Sequence, residues 1–137
     1  MSGNTYFRLE LAIRTIDVDQ NYFVRPFVYI HWLEEACANY FTSKGWSYPD
    51  LNQPGNLLYL SSLNLHHIIP VNISTAGRSI AVECLAITTE AHLITFEYEI
   101  QHTQQRDLVF ATATTQMTFF NSEGKEIPTP DSWKVKS

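Results

Sequence analysis

Residues 6–16, YFRLELAIRTI, alternate in character: Phe7, Leu9, Leu11 and Ile13 fall on one side, Arg8, Glu10 and Arg14 on the other. A period of two over that length predicts a strand with one solvated face. Residues 17–26, DVDQNYFVRP, break the alternation and end in proline. Proline suits the first turn of a helix, where an N–H has no intrahelical partner to lose. From Pro26 to Lys44 the apolar residues recur every three or four positions: Phe27, Ile30, Leu33, Cys37, Tyr40 and Phe41, widened by Tyr29, Trp32 and Ala36. The spacing predicts a helix of roughly 27 Å that stops before Gly45, with so broad an apolar arc that it must be nearly surrounded.

What surrounds it follows in the chain. After a loop rich in Gly, Pro, Asn and Asp at 45–56 come four β-like segments, at 57–69, 77–88, 92–102 and 108–120. Ile94, Phe96, Tyr98 and Ile100 alternate with Thr95, Glu97, Glu99 and Gln101, and residues 109–119 alternate in the same way. Short connections at Glu90-Ala91 and at 103–107 favour antiparallel pairing of neighbours. The tail from about 121 carries a turn signal and two prolines and reads as loosely ordered. One strand, one long apolar helix and four long strands make an α+β order, met most economically by a five-stranded antiparallel sheet curled around the helix.

The chain's 137 residues are enough for a single domain with a real core. Only 17% of them are charged, so part of the surface is expected to be buried against another subunit. A net charge of -5 with scattered Lys and Arg argues against nucleic acid, which needs clustered cations. No apolar run approaches a membrane span and no basic-then-apolar start is present, so a cytoplasmic location is expected. Cys37 and Cys84 lack CxxC spacing and read as two reduced core thiols.

Most of the candidate chemistry can be set aside. His66 and His67 are adjacent in a strand and face opposite sides, so they cannot share a metal, and no metal site is expected. Ser61 and Ser62 lack a nucleophile-elbow context, and there is no glycine-rich phosphate loop. What remains is the acidic pair Asp17 and Asp19, which in extended chain point the same way, beside a helix N-terminus with unpaired N–H groups. A carboxylate facing amide donors is the minimum needed to hydrolyse an acyl group. The same residues also fit a plainer role, one Asp capping the helix and the other making an Asx turn.

Asp17-Val18-Asp19, then Tyr29, Trp32-Leu33, Ala36, Asn39-Tyr40-Phe41 and Gly45, resemble the 4-hydroxybenzoyl-CoA thioesterase family of hotdog proteins. The stretch D-V-D-Q-N is similar to the D-x-D-x-N segment of plant acyl-ACP thioesterases, and Pro70 with Gly77 resembles the family's entry into its third strand. The resemblance implies a single hotdog domain over residues 1–137, acting as a homodimer or homotetramer with its site where two sheets join edge to edge. It implies Asp19 as nucleophile or general base, with Asp17, Asn21 and Glu35 as supporting residues. The Arg25 and Phe27 amides would polarise the thioester carbonyl, and Tyr29 and Trp32, with the strand around Ser61 to Leu65 of the neighbouring subunit, would line the acyl pocket. Ser62, Asn64 and His66 are the substrate-binding residues implied there. No cofactor is implied beyond the CoA or carrier-protein phosphopantetheine of the substrate itself.

The loop departs from the family where glycine is usual at Tyr22 and histidine at Phe23, and Pro26 removes one expected amide. Those departures motivate a second reading, a hotdog acyl-binding or regulatory module without turnover. A third, a hotdog hydratase, needs a histidine working with the acid. His31 falls on the helix, and His66 or His67 is expected to approach only across a subunit interface.

Overall fold

The computed structural model describes residues 5–44 and 57–130; the predicted loop at 45–56 lies outside the described residues. Strand β1 (Phe7–Ala12) ends sooner than the alternation predicts, and the chain bends through a 3₁₀ turn at Thr15–Asp17. The reason is local. The Asp17 carboxylate accepts a hydrogen bond from Arg14 N at 2.8 Å and pairs with the Arg14 guanidinium at 3.0 Å, which favours a tight turn over extended chain.

Helix α1 (Pro26–Ser43) starts at proline, with Arg25 extended just before it. Its buried residues are Val28 and Tyr29, Trp32 and Leu33, Ala36 and Cys37, Tyr40 and Phe41, pairs repeating every four residues. That arc leaves Phe27 outside, 56% exposed, and leaves His31, Glu34, Glu35 and Asn39 in solvent. The helix is therefore covered along one face rather than nearly surrounded.

The remaining elements are β2 (Leu57–His67), the single-turn helix α2 (Ile73–Ala76), β3 (Ser79–Thr89), β4 (Ile94–Gln101), β5 (Val109–Phe120) and β6 (Glu126–Ile127). All pairings are antiparallel, in the order β1-β3-β4-β5-β2. Asn72 caps α2 by accepting from Ser74 N, and Gly77, at φ +78, makes the left-handed step into β3. The expected loose tail is in part a hairpin: β6 pairs Phe119 and Phe120 of β5, and Thr129 N donates to Ala91 O.

The inner face of the sheet meets α1 through aromatic rings. Phe96 lies 5.9 Å from Phe41 and from Tyr98 and 6.2 Å from Tyr40, and Phe7 stacks on Tyr40 at 5.0 Å. Cys37 and Cys84 are free and buried, and burial pushes both thiols up to about 12, so they stay protonated and inert at neutral pH. Among the described residues no helix is long and apolar enough to cross a membrane.

On the outer face, Glu83 of β3 stands directly opposite Glu99 of β4, an arrangement that like charges disfavour. Gln101 resolves it by donating to both carboxylates, at 2.8 and 2.9 Å, while Arg106 and Thr5 also donate to Glu83. Burial alone would raise the Glu83 carboxyl, but these donors outweigh it and hold the group below its ordinary range. A depressed carboxyl adds stability above its unfolded value, and that contribution is lost as pH falls through the folded one. Glu83→Gln is thus expected to lower the urea midpoint at pH 7, with variant and parent converging towards pH 3.

Candidate functional site

The segment between the 3₁₀ turn and α1 is a closed loop rather than extended chain. Val18 and Val24 bridge its base, Asp19 N donates to Phe23 O at 2.8 Å, and Tyr22 N donates to Asp19 O at 3.0 Å. The Asp19 carboxylate finishes the turn: its Oδ1 accepts from Asn21 N at 2.8 Å and from Phe23 N at 3.0 Å. Among the described residues Oδ2 accepts no hydrogen bond. One oxygen fixes the loop and the other stays open to the cavity that Asp19 lines.

A second segment braces this loop from outside. Val24 N donates to Val71 O, Ile73 N to Tyr22 O and Asn72 Nδ2 to Asn21 O, at 2.9, 3.1 and 3.1 Å. Tyr22 has φ +68, left-handed backbone that side chains other than glycine rarely adopt. The loop therefore keeps a glycine conformation with a tyrosine in it. Tyr22→Val is expected to destabilise the protein by about 1–3 kcal/mol, because a β-branched residue fits this backbone worst, whereas Tyr22→Gly leaves the fold intact. Chemical denaturation of the two variants side by side checks this.

Asp19 opens onto a cavity of about 370 Å³ lined by Phe23, Val24, Pro26, Tyr29, His67 and Pro70. The size falls within the range of small-ligand pockets, and the lining is mostly apolar. Tyr29 is buried, and its hydroxyl accepts from Val71 N at 2.8 Å. Burial pushes that phenol up, against the opposing effect of the Val71 amide, so it stays neutral. The edge-to-face contact of Tyr29 with His67, centroids 4.6 Å apart, seats the imidazole in the wall.

The helix start offers fewer amides than expected. Arg25 N already donates to Asp17 O at 2.9 Å, Pro26 has no N–H, and Val28 N donates to Arg25 O at 3.0 Å. Of the two amides expected to polarise a carbonyl, Phe27 N, at the second helical position, has no intrahelical partner. Arg25 is not available for that role.

Several predicted site residues lie elsewhere. Asp17 is 3% exposed, paired with Arg14, and faces a different cavity of about 620 Å³ shared with His31, Trp32 and Glu35. The 3₁₀ turn is what separates the two aspartates. Asn21 contributes its backbone: its amide donates to Asp19 and its carbonyl accepts from Asn72. Asn64 and His66 line a groove on the outer face of the sheet with Glu97 and Glu99, and Ser62 is exposed just past a β-bulge. His67, expected to reach the acid only from another subunit, lies in the Asp19 cavity of its own chain. Among the described residues no three His, Cys, Asp or Glu side chains are grouped to hold a metal ion.

No family model matches the sequence, and no curated protein matches it either. Solved structures do. A 1,4-dihydroxy-2-naphthoyl-CoA thioesterase from Synechocystis superposes with TM-score 0.82 at 22% identity, over 95% of this chain and 93% of that one. A DHNA-CoA thioesterase from Staphylococcus aureus gives 0.75 at 19% identity, over 88% and 78%. The 12:0-ACP thioesterase of Umbellularia californica gives 0.77 at 15% identity, over 92% of this chain and half, 50%, of that one. The implied architecture is the observed one: this chain has the hotdog fold and shares it with these thioesterases.

Proposed function

We propose that the protein is a thioesterase that hydrolyses acyl-CoA or acyl-carrier-protein thioesters with Asp19 at its centre. One observation carries the reading. The Asp19 carboxylate is pinned through Oδ1 by two loop amides, with Oδ2 unbonded among the described residues, at an apolar cavity beside a helix N-terminus. From there it can take a proton from water attacking the thioester carbonyl, or attack that carbon itself and form a mixed anhydride. The apolar lining of Phe23, Val24, Tyr29 and Pro70 favours a hydrophobic or aromatic acyl group over a charged one.

In the proposed assembly, two copies join through the edge of β2 that carries no strand among the described residues, β5 lying on its other side. Tyr59, Ile68 and Ile69, at 64%, 52% and 42% exposure, lie on or just after that strand and would be covered there. Thiol release from a panel of short, long and aromatic acyl-CoA and acyl-carrier-protein thioesters tests the activity and names the acyl class. Silence on all of them would end the thioesterase reading.

A second reading, binding without turnover, has an observation in its favour. The bond from Arg25 N to Asp17 O and the proline at position 26 remove two amides from the start of α1. Tight retention of an acyl-CoA with no thiol released would establish it.

A further inference from the structure

The shortage of amides at the helix start sits beside a side chain that can replace them. We propose that His67 donates the hydrogen bond that holds the substrate carbonyl, and the oxyanion formed from it, in the Asp19 cavity; this rests on the thioesterase reading above.

Oxyanion formation at an acyl carbon is slow unless donors are already aimed at the oxygen, and losing one such donor typically slows turnover about 100- to 1,000-fold. With Arg25 N engaged and Pro26 without an N–H, Phe27 N stands alone in the first turn. Three side chains in the cavity wall carry polar atoms. Asp19 is an acceptor. The Tyr29 hydroxyl, which accepts from Val71 N and keeps its own proton to donate, belongs to a residue only 1% exposed, whereas His67 is exposed where substrate enters. His67 remains. Among the described residues neither of its ring nitrogens is in a hydrogen bond, yet the ring is held edge-to-face against Tyr29 at 4.6 Å and 86°. That contact gives the exposed His67 ring a preferred orientation at the cavity before charge develops, the direction that lowers the barrier.

The placement follows from the strand. A β-bulge between Leu60 and Ser62 reverses the alternation of β2, so Leu63 and Leu65 pack on the core and His67, two residues on, shares their side. His66 is thereby sent to the outer face.

The chemistry balances with this residue in place. Water adds to the carbonyl carbon while Asp19 takes its proton, and the former C=O electron pair becomes the oxyanion held by the His67 and Phe27 N–H groups. Collapse restores the C=O bond and breaks the C–S bond. The thiolate leaves with that electron pair and takes up the proton from Asp19.

The test compares wild type, His67→Gln and His67→Phe on the best thioester of the panel, with His67→Ala alongside in case the larger ring does not fold. Infrared spectra of a carbonyl-labelled acyl-CoA are also taken, bound to Asp19→Asn with and without the His67 change. Removing the donor is expected to lower kcat about 100- to 1,000-fold with little change in KM, and His67→Gln, which keeps an N–H, to recover part of it. The bound carbonyl band should lie below its solution frequency in Asp19→Asn and return towards it when His67 is also replaced. Near-wild-type kcat with an unmoved band would overturn the role of His67 while leaving the thioesterase standing. Absence of thiol release by wild type from every thioester would remove both. Enoyl-CoA hydration that needs His67 would overturn the proposal by making His67 a proton carrier.

Discussion

Asp19→Asn is expected to fold normally and to lose about 100- to 10,000-fold in kcat, whichever thioester proves best. The amide oxygen of asparagine can accept the bonds that Asp19 Oδ1 accepts from Asn21 N and Phe23 N, so the loop keeps its shape. What disappears is the negative charge and basicity of the second oxygen. Asp19→Ala removes both functions together. It should match the asparagine variant in kcat and in addition lose about 0.5–1.5 kcal/mol of stability for each amide left without its partner. Steady-state thiol release and urea unfolding on the same two variants separate the roles. Comparable stability with activity gone marks the acid as chemical, whereas equal activity in wild type and Asp19→Asn would mean that Asp19 only closes a turn.

Much of this site can be read from the chain before any coordinates. Pro26 marks the helix start and the acid pair marks the segment before it, because helix initiation and turn chemistry are local. What the alternation could not deliver was parity and direction. The 3₁₀ turn at Thr15–Asp17 depends on a bond between Arg14 and Asp17, a choice among several that a short polar stretch allows. It turns Asp17 away from Asp19 and breaks the assumption that two residues in extended chain face alike. In β2 the clue to His67 was present. Apolar residues at 58 and 60 and then at 63 and 65 show the parity switch that a bulge imposes, and Leu65 points to His67 as the next inward position. The engaged amide of Arg25 was out of reach, since its acceptor is a carbonyl placed by the folded loop.

The largest expected loss of stability comes from the centre of the core, away from the site. Phe96 is fully buried, with Tyr40, Phe41 and Tyr98 packed around it within 6.2 Å, so it links the middle of the sheet to the C-terminal half of α1. Phe96→Ala should cost about 3–5 kcal/mol, the lost transfer energy of the ring plus the cavity left among aromatic neighbours that cannot all close in. Against the roughly 5–15 kcal/mol that holds a typical domain together, that removes a large share and moves the urea midpoint far below the wild-type value. Phe27→Ala makes the contrast. Its ring is more than half exposed, so stability should move by no more than about 0.5 kcal/mol, the range of surface substitutions, although it sits close to the Asp19 loop. Urea midpoints for the pair decide whether the aromatic cluster or the helix start holds the fold. A Phe96→Ala midpoint close to that of wild type would mean that sheet pairing rather than helix-on-sheet packing carries most of the stability.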